Sequence, residues 1–209
     1  MSEQSTLTWQ ETAAAPTSTA DVPLAGAETQ ALIARCLGGD DAAYALLYQR
    51  HSGLVYRLAY SLLQHHEDAE EVLQDSFEYA FRTLKRYDPR RAAFTTWLYR
   101  ITISRCRNKR RRKWLPTFSL SQNDGRQVTD TQTRTPDEAL ALTEAQRAVW
   151  EALQQLSPRL RETAVLRYYH GLRYSEIGDI LDIPAKTAES RMRLAHKALR
   201  DILESELEL

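Results

Sequence analysis

The chain has 209 residues, of which 43% are hydrophobic, so its length and composition allow one or two domains with packed cores. Only seven residues are glycine, no alternating strand pattern persists and no apolar run reaches the length of a membrane span, so an all-α fold without transmembrane helices is predicted. The formal net charge is zero, but residues 85–113 carry twelve basic side chains and one acidic one, an excess that favours contact with phosphates.

The first segment, residues 1–27, is rich in Ala, Thr, Ser and Pro and is predicted to be a disordered tail. It has neither a basic start nor an apolar stretch, so it is not a signal peptide, and a cytoplasmic protein is expected. A helical pattern begins near Glu28 and ends at Gly38. Asp40 is the predicted N-cap of a second helix, and a further helix is predicted after Gly53.

The segment from Glu67 to Arg86 has a strongly amphipathic helical pattern. Its apolar face contains Ala69, Val72, Leu73, Phe77, Ala80, Phe81 and Leu84. On another face, acidic residues recur at steps of four, four and three. This acidic stripe consists of Glu67, Glu71, Asp75 and Glu78. Without further context, such a stripe is typical of a solvated helix surface.

A loop is predicted over residues 87–91, because Pro89 and the residue before it disfavour helix. The helical pattern resumes near Phe94 and ends in a basic run at 108–113. Three apolar side chains are expected to face inward, namely Trp97, Leu98 and Ile101. A second face, repeating at steps of four, three and four, contains Arg100, Ser104, Arg107 and Arg111. Trp97 is also a candidate for stacking on an unpaired base, although its neighbours favour a place in the core.

Residues 115–136 contain two prolines, a glycine and many Ser, Thr, Gln and Asp residues, so they are predicted to form a flexible linker. A helix is predicted from Asp137 to Gln155. The expected organisation is therefore the tail, a first helical domain over 28–114, the linker, and a second helical domain over 137–209.

The second domain has the pattern of a helix-turn-helix. A helix ends at Gly171, because glycine tolerates the left-handed backbone of a C-cap. A short amphipathic helix follows, and residues 182–184 form a turn in which Pro184 fits the start of the next helix. That last helix is expected to bury Ala188, Met192, Ala195 and Leu199. Its other faces carry Lys186, Thr187, Glu189, Ser190, Arg191 and Arg193. Such a helix fits a major groove, but an ordinary helical hairpin with a solvated face has the same pattern.

Both halves together resemble the extracytoplasmic-function (ECF) class of bacterial RNA polymerase sigma factors, within the sigma-70 family. The sequences DAEEVLQDSFEYAF at 68–81 and RYDPRRAAFTTWLYRI at 86–101 resemble the promoter-melting domain of that family. The sequence LSPRLRETAVLRYYHGLRYSEIGDILDIPAKTAESRMRLAHKAL at 156–199 resembles its C-terminal promoter domain. The two motifs stand in the order that the family has, so the resemblance is specific.

The resemblance implies roles that periodicity does not assign. The helix over 67–85 would bind the clamp helices of the largest polymerase subunit, with the candidates Glu71, Gln74, Asp75 and Glu78. The loop and helix over 86–113 would capture the non-template strand of the minus-ten element, with the candidates Arg90, Arg91, Arg100, Ser104, Arg107, Asn108 and Arg111. The helix over 185–199 would read the minus-thirty-five duplex, with the candidates Arg173, Lys186, Thr187, Glu189, Ser190, Arg191 and Arg193. The implied partners are core RNA polymerase, promoter DNA and an anti-sigma factor, and no membrane is implied.

Two positions depart from the family pattern. Ser104 stands where relatives often have Asn, which leaves open which base is captured. Relatives commonly have Gly-Thr-Val-Lys/Arg-Ser-Arg at the entry to the recognition helix, whereas residues 186–191 read KTAESR. Glu189 thus replaces a cation, and a carboxylate accepts from cytosine N4 but binds neither phosphate nor the guanine acceptors. Lys186 supplies a cation near the start of the helix, and an altered minus-thirty-five preference is expected.

Other chemistries have little support in the sequence. His65, His66 and Glu67 are adjacent and lack spaced partner ligands, so a helix start is expected there and no metal site. Cys36 and Cys106 are expected to be buried free thiols in a reducing compartment. No phosphate-cradling loop or catalytic triad pattern is present, so neither an enzyme nor a cofactor is expected. The alternative function is a stand-alone helix-turn-helix repressor or activator, which the separate first domain disfavours.

Overall fold

The computed structural model describes residues 22–114 and 144–207, and within these ranges the regular elements are helical. Four helices form a first domain and four form a second, which confirms the predicted all-α fold with two small domains. The helices are α1 (Val22–Leu37), α2 (Asp41–Leu63), α3 (His66–Thr83), α4 (Phe94–Trp114), α5 (Glu144–Gln155), α6 (Pro158–Tyr168), α7 (Tyr174–Leu181) and α8 (Ala185–Leu207), with a 3₁₀ turn at Leu84–Arg86. Most of the predicted tail and all of the predicted linker lie outside the described residues.

Helix α2 runs without interruption through Gly53, so the prediction of two helices in this segment was wrong. Leu47 before the glycine, and Val55 and Leu58 after it, are completely buried. Burial of large apolar side chains on both sides of Gly53 outweighs the cost of about 1 kcal/mol that glycine carries inside a helix.

The predicted start of α2 is confirmed, whereas the predicted start of α1 is wrong. Asp40 caps α2 as predicted, since its Oδ1 accepts a hydrogen bond from the amide nitrogen of Ala42 at 3.0 Å. Helix α1, in contrast, begins at Val22 and not near Glu28, so the prediction of a disordered tail was wrong for residues 22–27, which are helical. The helical backbone begins six residues before the apolar pattern from which the helix was predicted.

Three aromatic rings pack together in the first domain at the junction between the loop and α4. The ring centroid of Trp97 lies 5.3 Å from that of Tyr87 and 5.6 Å from that of Phe94, so Trp97 belongs to the core, as its neighbours indicated. The Tyr87 hydroxyl donates to the carbonyl oxygen of Ala92 at 3.1 Å. These contacts fix the start of α4, and with it the direction of the basic face that follows.

The second domain contains the predicted helix-turn-helix in α7 and α8. Helix α7 ends at Leu181, and Asp182 has a left-handed φ of 55°, which turns the chain toward Pro184. Gly178 was not singled out in the sequence, yet a Cβ there would lie 2.7 Å from the carbonyl oxygen of Ile183. Only glycine therefore lets the turn pack this closely on α7.

A buried arginine holds the end of α5 against α6. The guanidinium of Arg161 donates to the carbonyl oxygens of Leu153 at 2.9 Å and Leu156 at 3.1 Å, and it also contacts Gln154. Burial, together with the neighbouring charge of Arg110, lowers the pKa of Arg161 to about 10. Arg161 thus satisfies carbonyl groups that a helix end leaves without partners.

The two domains also pack against each other, a contact that the sequence did not predict. Helix α2 packs on α6, and α4 packs on α7. One continuous apolar cluster draws on both domains; it consists of Leu58, Ala59, Leu62, Ala69, Val72, Tyr99, Ile103 and Cys106 from the first, with Val165, Leu166, Ile177, Ile180, Leu181 and Ala188 from the second. Both cysteines are buried free thiols, as expected. Burial raises the pKa of Cys106 to about 12 and leaves that thiol unreactive.

Candidate nucleic-acid interface

Helix α8 has one apolar and one polar side, as the sequence predicted. Ala188, Met192 and Ala195 are buried against the rest of the second domain. The predicted reading residues lie on other sides of the helix; Lys186, Glu189 and Arg193 are exposed, and Thr187, Ser190 and Arg191 are half-buried. This side of α8 is free to enter a groove while the apolar side holds the domain together.

Local contacts orient two parts of this surface. The Ser190 hydroxyl donates to the carbonyl oxygen of Lys186 at 2.9 Å and lies 3.4 Å from a guanidinium nitrogen of Arg193. At the start of α7, the Glu176 carboxylate accepts from the backbone nitrogen of Arg173 at 2.7 Å. Arg173 is therefore fixed by its backbone, while its exposed side chain stays available to a phosphate.

The basic face of α4 does not face solvent along its whole length. Arg107 donates two hydrogen bonds to the Glu162 carboxylate of α6, from Nε at 2.9 Å and from Nη2 at 2.7 Å. Arg100 donates from Nε to the carbonyl oxygen of Asp179 in α7 at 2.7 Å. Two residues predicted to bind the minus-ten strand thus bind the second domain in this structure.

The remaining candidates for the minus-ten strand are accessible. Arg90 and Arg91 are exposed in the loop before α4, where the Asp88 carboxylate accepts from the backbone nitrogen of Arg90 at 2.9 Å. Ser104 is exposed, and Arg111 lies 3.3 Å from the side-chain oxygen of Asn108. The structure thus places these groups along one loop and helix, while Arg100 and Arg107, although exposed, are hydrogen-bonded to the second domain.

Glu162 and His170 were not singled out in the sequence, yet both belong to the contact between the domains. Glu162 is only 1% exposed and is paired with Arg107, which raises the pKa of that guanidinium. The Tyr99 hydroxyl lies 2.9 Å from Nδ1 of His170. We call Tyr99, Arg100 and Arg107, with Glu162, His170 and Asp179, the docking interface. In the sequence Glu162 stands between Arg161 and Thr163, so no local pattern marked it as a buried carboxylate.

We expect acid to weaken the docking interface. Burial, with a smaller contribution from Arg57, lowers the pKa of His170 from 6.5 to about 4. Docking that holds a neutral histidine is strongest above pH 6.5 and weakens as the pH falls toward 4, by roughly 2 kcal/mol between pH 6.5 and 5. A pair of fluorophores, one on each domain, measures the separation. His170→Gln should make the separation of the domains less dependent on pH. An unchanged pH dependence in that variant would contradict the role of His170.

Helix α3 presents the acidic stripe, but part of it is already paired. The ammonium group of Lys109 on α4 contacts the Glu71 carboxylate and lies 3.3 Å from an oxygen of Asp68. Glu78 lies 3.1 Å from Arg82 on its own helix. Asp75, within the stripe, is half-buried, and Gln74 beside it is exposed. Glu67 and Glu78 are therefore the most exposed members of the stripe, while Glu71 is held by Lys109.

The helix start expected at His65 is observed. His65 caps α3, because its Nδ1 accepts from the backbone nitrogen of Asp68 at 3.3 Å. The Tyr56 hydroxyl lies 2.7 Å from Nδ1 of His66. Over residues 22–114 and 144–207, no group of three or more His, Cys, Asp or Glu side chains could hold a metal ion, and no helix is long and apolar enough to cross a membrane.

The fold and these surfaces define a two-domain helical DNA-binding protein, and comparison with known proteins gives its family. Residues 47–115 match the family Sigma-70 region 2, and residues 146–199 match Sigma-70, region 4. The chain is 30% identical to the ECF RNA polymerase sigma factor SigW of Bacillus subtilis (strain 168) over 177 residues, 78% of this chain and 89% of that protein. It is also 30% identical to the ECF RNA polymerase sigma-E factor of Haemophilus influenzae, over 82% of this chain and 93% of that protein.

Two solved structures share the fold. One is CnrH in complex with the cytosolic domain of CnrY, with a TM-score of 0.63, 24% identity, and coverage of 85% of this chain and 97% of that chain. The other is the sigma factor RpoE in complex with the anti-sigma factor NepR from Bartonella quintana, with a TM-score of 0.58, 21% identity, and coverage of 77% and 96%.

The chain belongs to the ECF sigma factors of the sigma-70 family. It is a subunit that directs RNA polymerase to promoters and supports promoter-specific transcription initiation, and sigma factors are not enzymes. The match to region 2 disfavours the alternative of a stand-alone helix-turn-helix regulator.

Proposed function

We propose that the first domain, 28–114, binds core polymerase and the minus-ten element, and that the second, 137–209, binds the minus-thirty-five element. The division is supported by the acidic surface of α3, the basic loop and face of α4, and the polar side of α8, which lie on different helices. The segment over 115–136 connects the two domains. The residues before Val22 have no assigned role.

We propose that core polymerase binds α3 through Glu71, Gln74, Asp75 and Glu78. The accessible charge of Asp75 and Glu78 supports a basic partner surface. Glu71 already holds Lys109, so its part in the contact requires a rearrangement of that ion pair. The site of action is the cytoplasm, where the polymerase works.

Full promoter binding requires the two domains to reach elements that lie far apart on the DNA. Elements centred 25 base pairs apart are separated by about 85 Å of B-form DNA. In the docked form, Arg100 and Arg107 bind α6 and α7 and not phosphates. We infer that this form represents the free factor, and that the domains separate when polymerase and promoter bind. An anti-sigma factor is a proposed partner, since one structural neighbour, RpoE, was solved in complex with the anti-sigma factor NepR.

The single observation that carries the functional proposal is that Arg100 and Arg107 of α4 are already hydrogen-bonded to the second domain. It predicts that the free protein binds promoter duplex weakly and becomes specific only with core polymerase, which fixes the spacing of the domains. A gel-shift titration with and without core polymerase measures both states. Tight, sequence-specific binding by the free chain would contradict the proposal and favour an autonomous regulator.

We expect Glu189→Lys to change the minus-thirty-five preference without unfolding the domain, because Glu189 is exposed on α8. If the carboxylate accepts from a cytosine N4, a cation in its place should favour guanine at that position by roughly 1–3 kcal/mol. Transcription from a randomised minus-thirty-five library measures the preference. Uniformly higher activity with unchanged base preference would mean that Glu189 faces only phosphates and solvent.

A further inference from the structure

Leu194 has an unusual environment for a large apolar side chain. It is 58% exposed, the largest exposed fraction among the large apolar side chains over the parts of the chain that the structure describes. Nothing in the fold of the second domain requires a leucine there, because Ala188, Met192 and Ala195 supply the apolar side of α8.

The position of Leu194 on α8 places it among the residues proposed to meet DNA. It follows Ser190 by one turn, adjoins Arg193 and precedes Lys197 by three residues, so these side chains share the outward side of the helix. Arg193, Leu194 and Lys197 are all exposed. An apolar group flanked by two cations meets base edges when those cations bind the phosphates on either side of a groove.

We propose that Leu194 recognises a thymine of the minus-thirty-five element through the C5 methyl group of the base. In the major groove, thymine alone among the four bases presents a methyl group, and an apolar side chain gains contact area only against it. Leucine has no donor or acceptor for the polar edges of guanine, cytosine or adenine, which would lose water without gaining a partner. The proposal rests on the assignment of α8 to the minus-thirty-five element.

The test begins with the polymerase holoenzyme and the element that it prefers in a randomised library. Each thymine of that element is then replaced singly by deoxyuridine, which removes only the methyl group. We expect binding to weaken roughly three- to fivefold at one thymine, the factor for one methyl group lost from an apolar contact. Leu194→Ala should bind the thymine and deoxyuridine promoters equally well. The matched control is Leu46→Ala, which changes an exposed leucine on α2. This variant should still bind the thymine promoter more tightly than the deoxyuridine promoter.

A second substitution at the same base checks the chemistry. Cytosine in place of that thymine should weaken wild-type binding, and 5-methylcytosine should recover part of the loss, because its methyl group occupies the same place in the groove. The proposal is overturned if no thymine is sensitive to its methyl group. It is also overturned if Leu194→Ala weakens binding to core polymerase without changing base preference, since Leu194 would then contact protein. If α8 does not read the element at all, Glu189→Lys and Thr187→Ala will also leave the library preference unchanged, which separates that failure from this one.

Discussion

Reversing two charges on α3 should abolish binding to core polymerase. Asp75→Arg with Glu78→Arg places two cations where a basic partner surface is proposed, and like charges brought together at an interface cost several kcal/mol. The fold should survive, because Glu78 is exposed, Asp75 is only half-buried and both lie away from the apolar face of the helix. Pull-down of core polymerase measures the binding, and thermal unfolding measures the fold.

The control for this variant is Glu70→Arg, which changes an exposed carboxylate of the same helix outside the acidic stripe. It should retain core binding. The single variants Asp75→Arg and Glu78→Arg should each pull down less core polymerase than the control and more than the double variant. Part of the stability change will come from the local ion pair of Glu78 with Arg82, worth only a few tenths of a kcal/mol. Undiminished pull-down by the double variant would refute the proposed interface.

Glu162→Gln should shift the protein toward separated domains. The Glu162 carboxylate accepts both hydrogen bonds of the Arg107 guanidinium, whereas a glutamine offers one acceptor and turns an amide donor toward the cation. Loss of one charge-assisted hydrogen bond costs about 2 kcal/mol, a roughly thirtyfold fall in the ratio of docked to separated protein. Fluorophores at Lys85→Cys and Glu204→Cys, both exposed positions, report the distance between the domains, since Cys36 and Cys106 are buried.

Arg107→Ala provides the contrast. It also breaks the docking interface, because a docked Glu162 would then be buried without a partner. It removes the proposed phosphate contact as well, so it should open the domains without improving promoter opening, whereas Glu162→Gln should bind core polymerase and promoter more readily. Glu151→Gln on α5, a helix that packs on α8, is the control and should leave the distance unchanged. Unaltered separation in Glu162→Gln would show that the ion pair does not hold the domains together.

Local signals in the sequence predicted most helices, and the structure explains why. The cap at Asp40, the turn before Pro184 and the left-handed Gly171, with φ of 63°, all depend on a few neighbouring residues. The buried side of α8 follows from helical periodicity, which reports which residues share a face. The same reasoning was wrong at Gly53, because a weak local preference for breaking the helix is smaller than the gain from burying residues on both sides.

The candidate site was only partly predictable for a related reason. The accessible groups, such as Arg90, Ser104 and Glu189, are where sequence pattern and resemblance expected them. The pairing of Arg107 with Glu162 was not, because these residues are 55 positions apart and belong to different domains. A pattern of charges identifies a polar helix face, but it does not identify which other part of the protein packs against that face.

The sequence by itself therefore determined the helices, the helix-turn-helix and the family, since each depends on the order of residues along the chain. Only the tertiary structure decided that the domains dock, that Glu162 and His170 lie between them, and that Leu194 is left exposed on α8. The physical reason is that burial depends on which surfaces meet in three dimensions. An apolar or charged face of a helix is compatible with several neighbours until the packing of the other helices selects one.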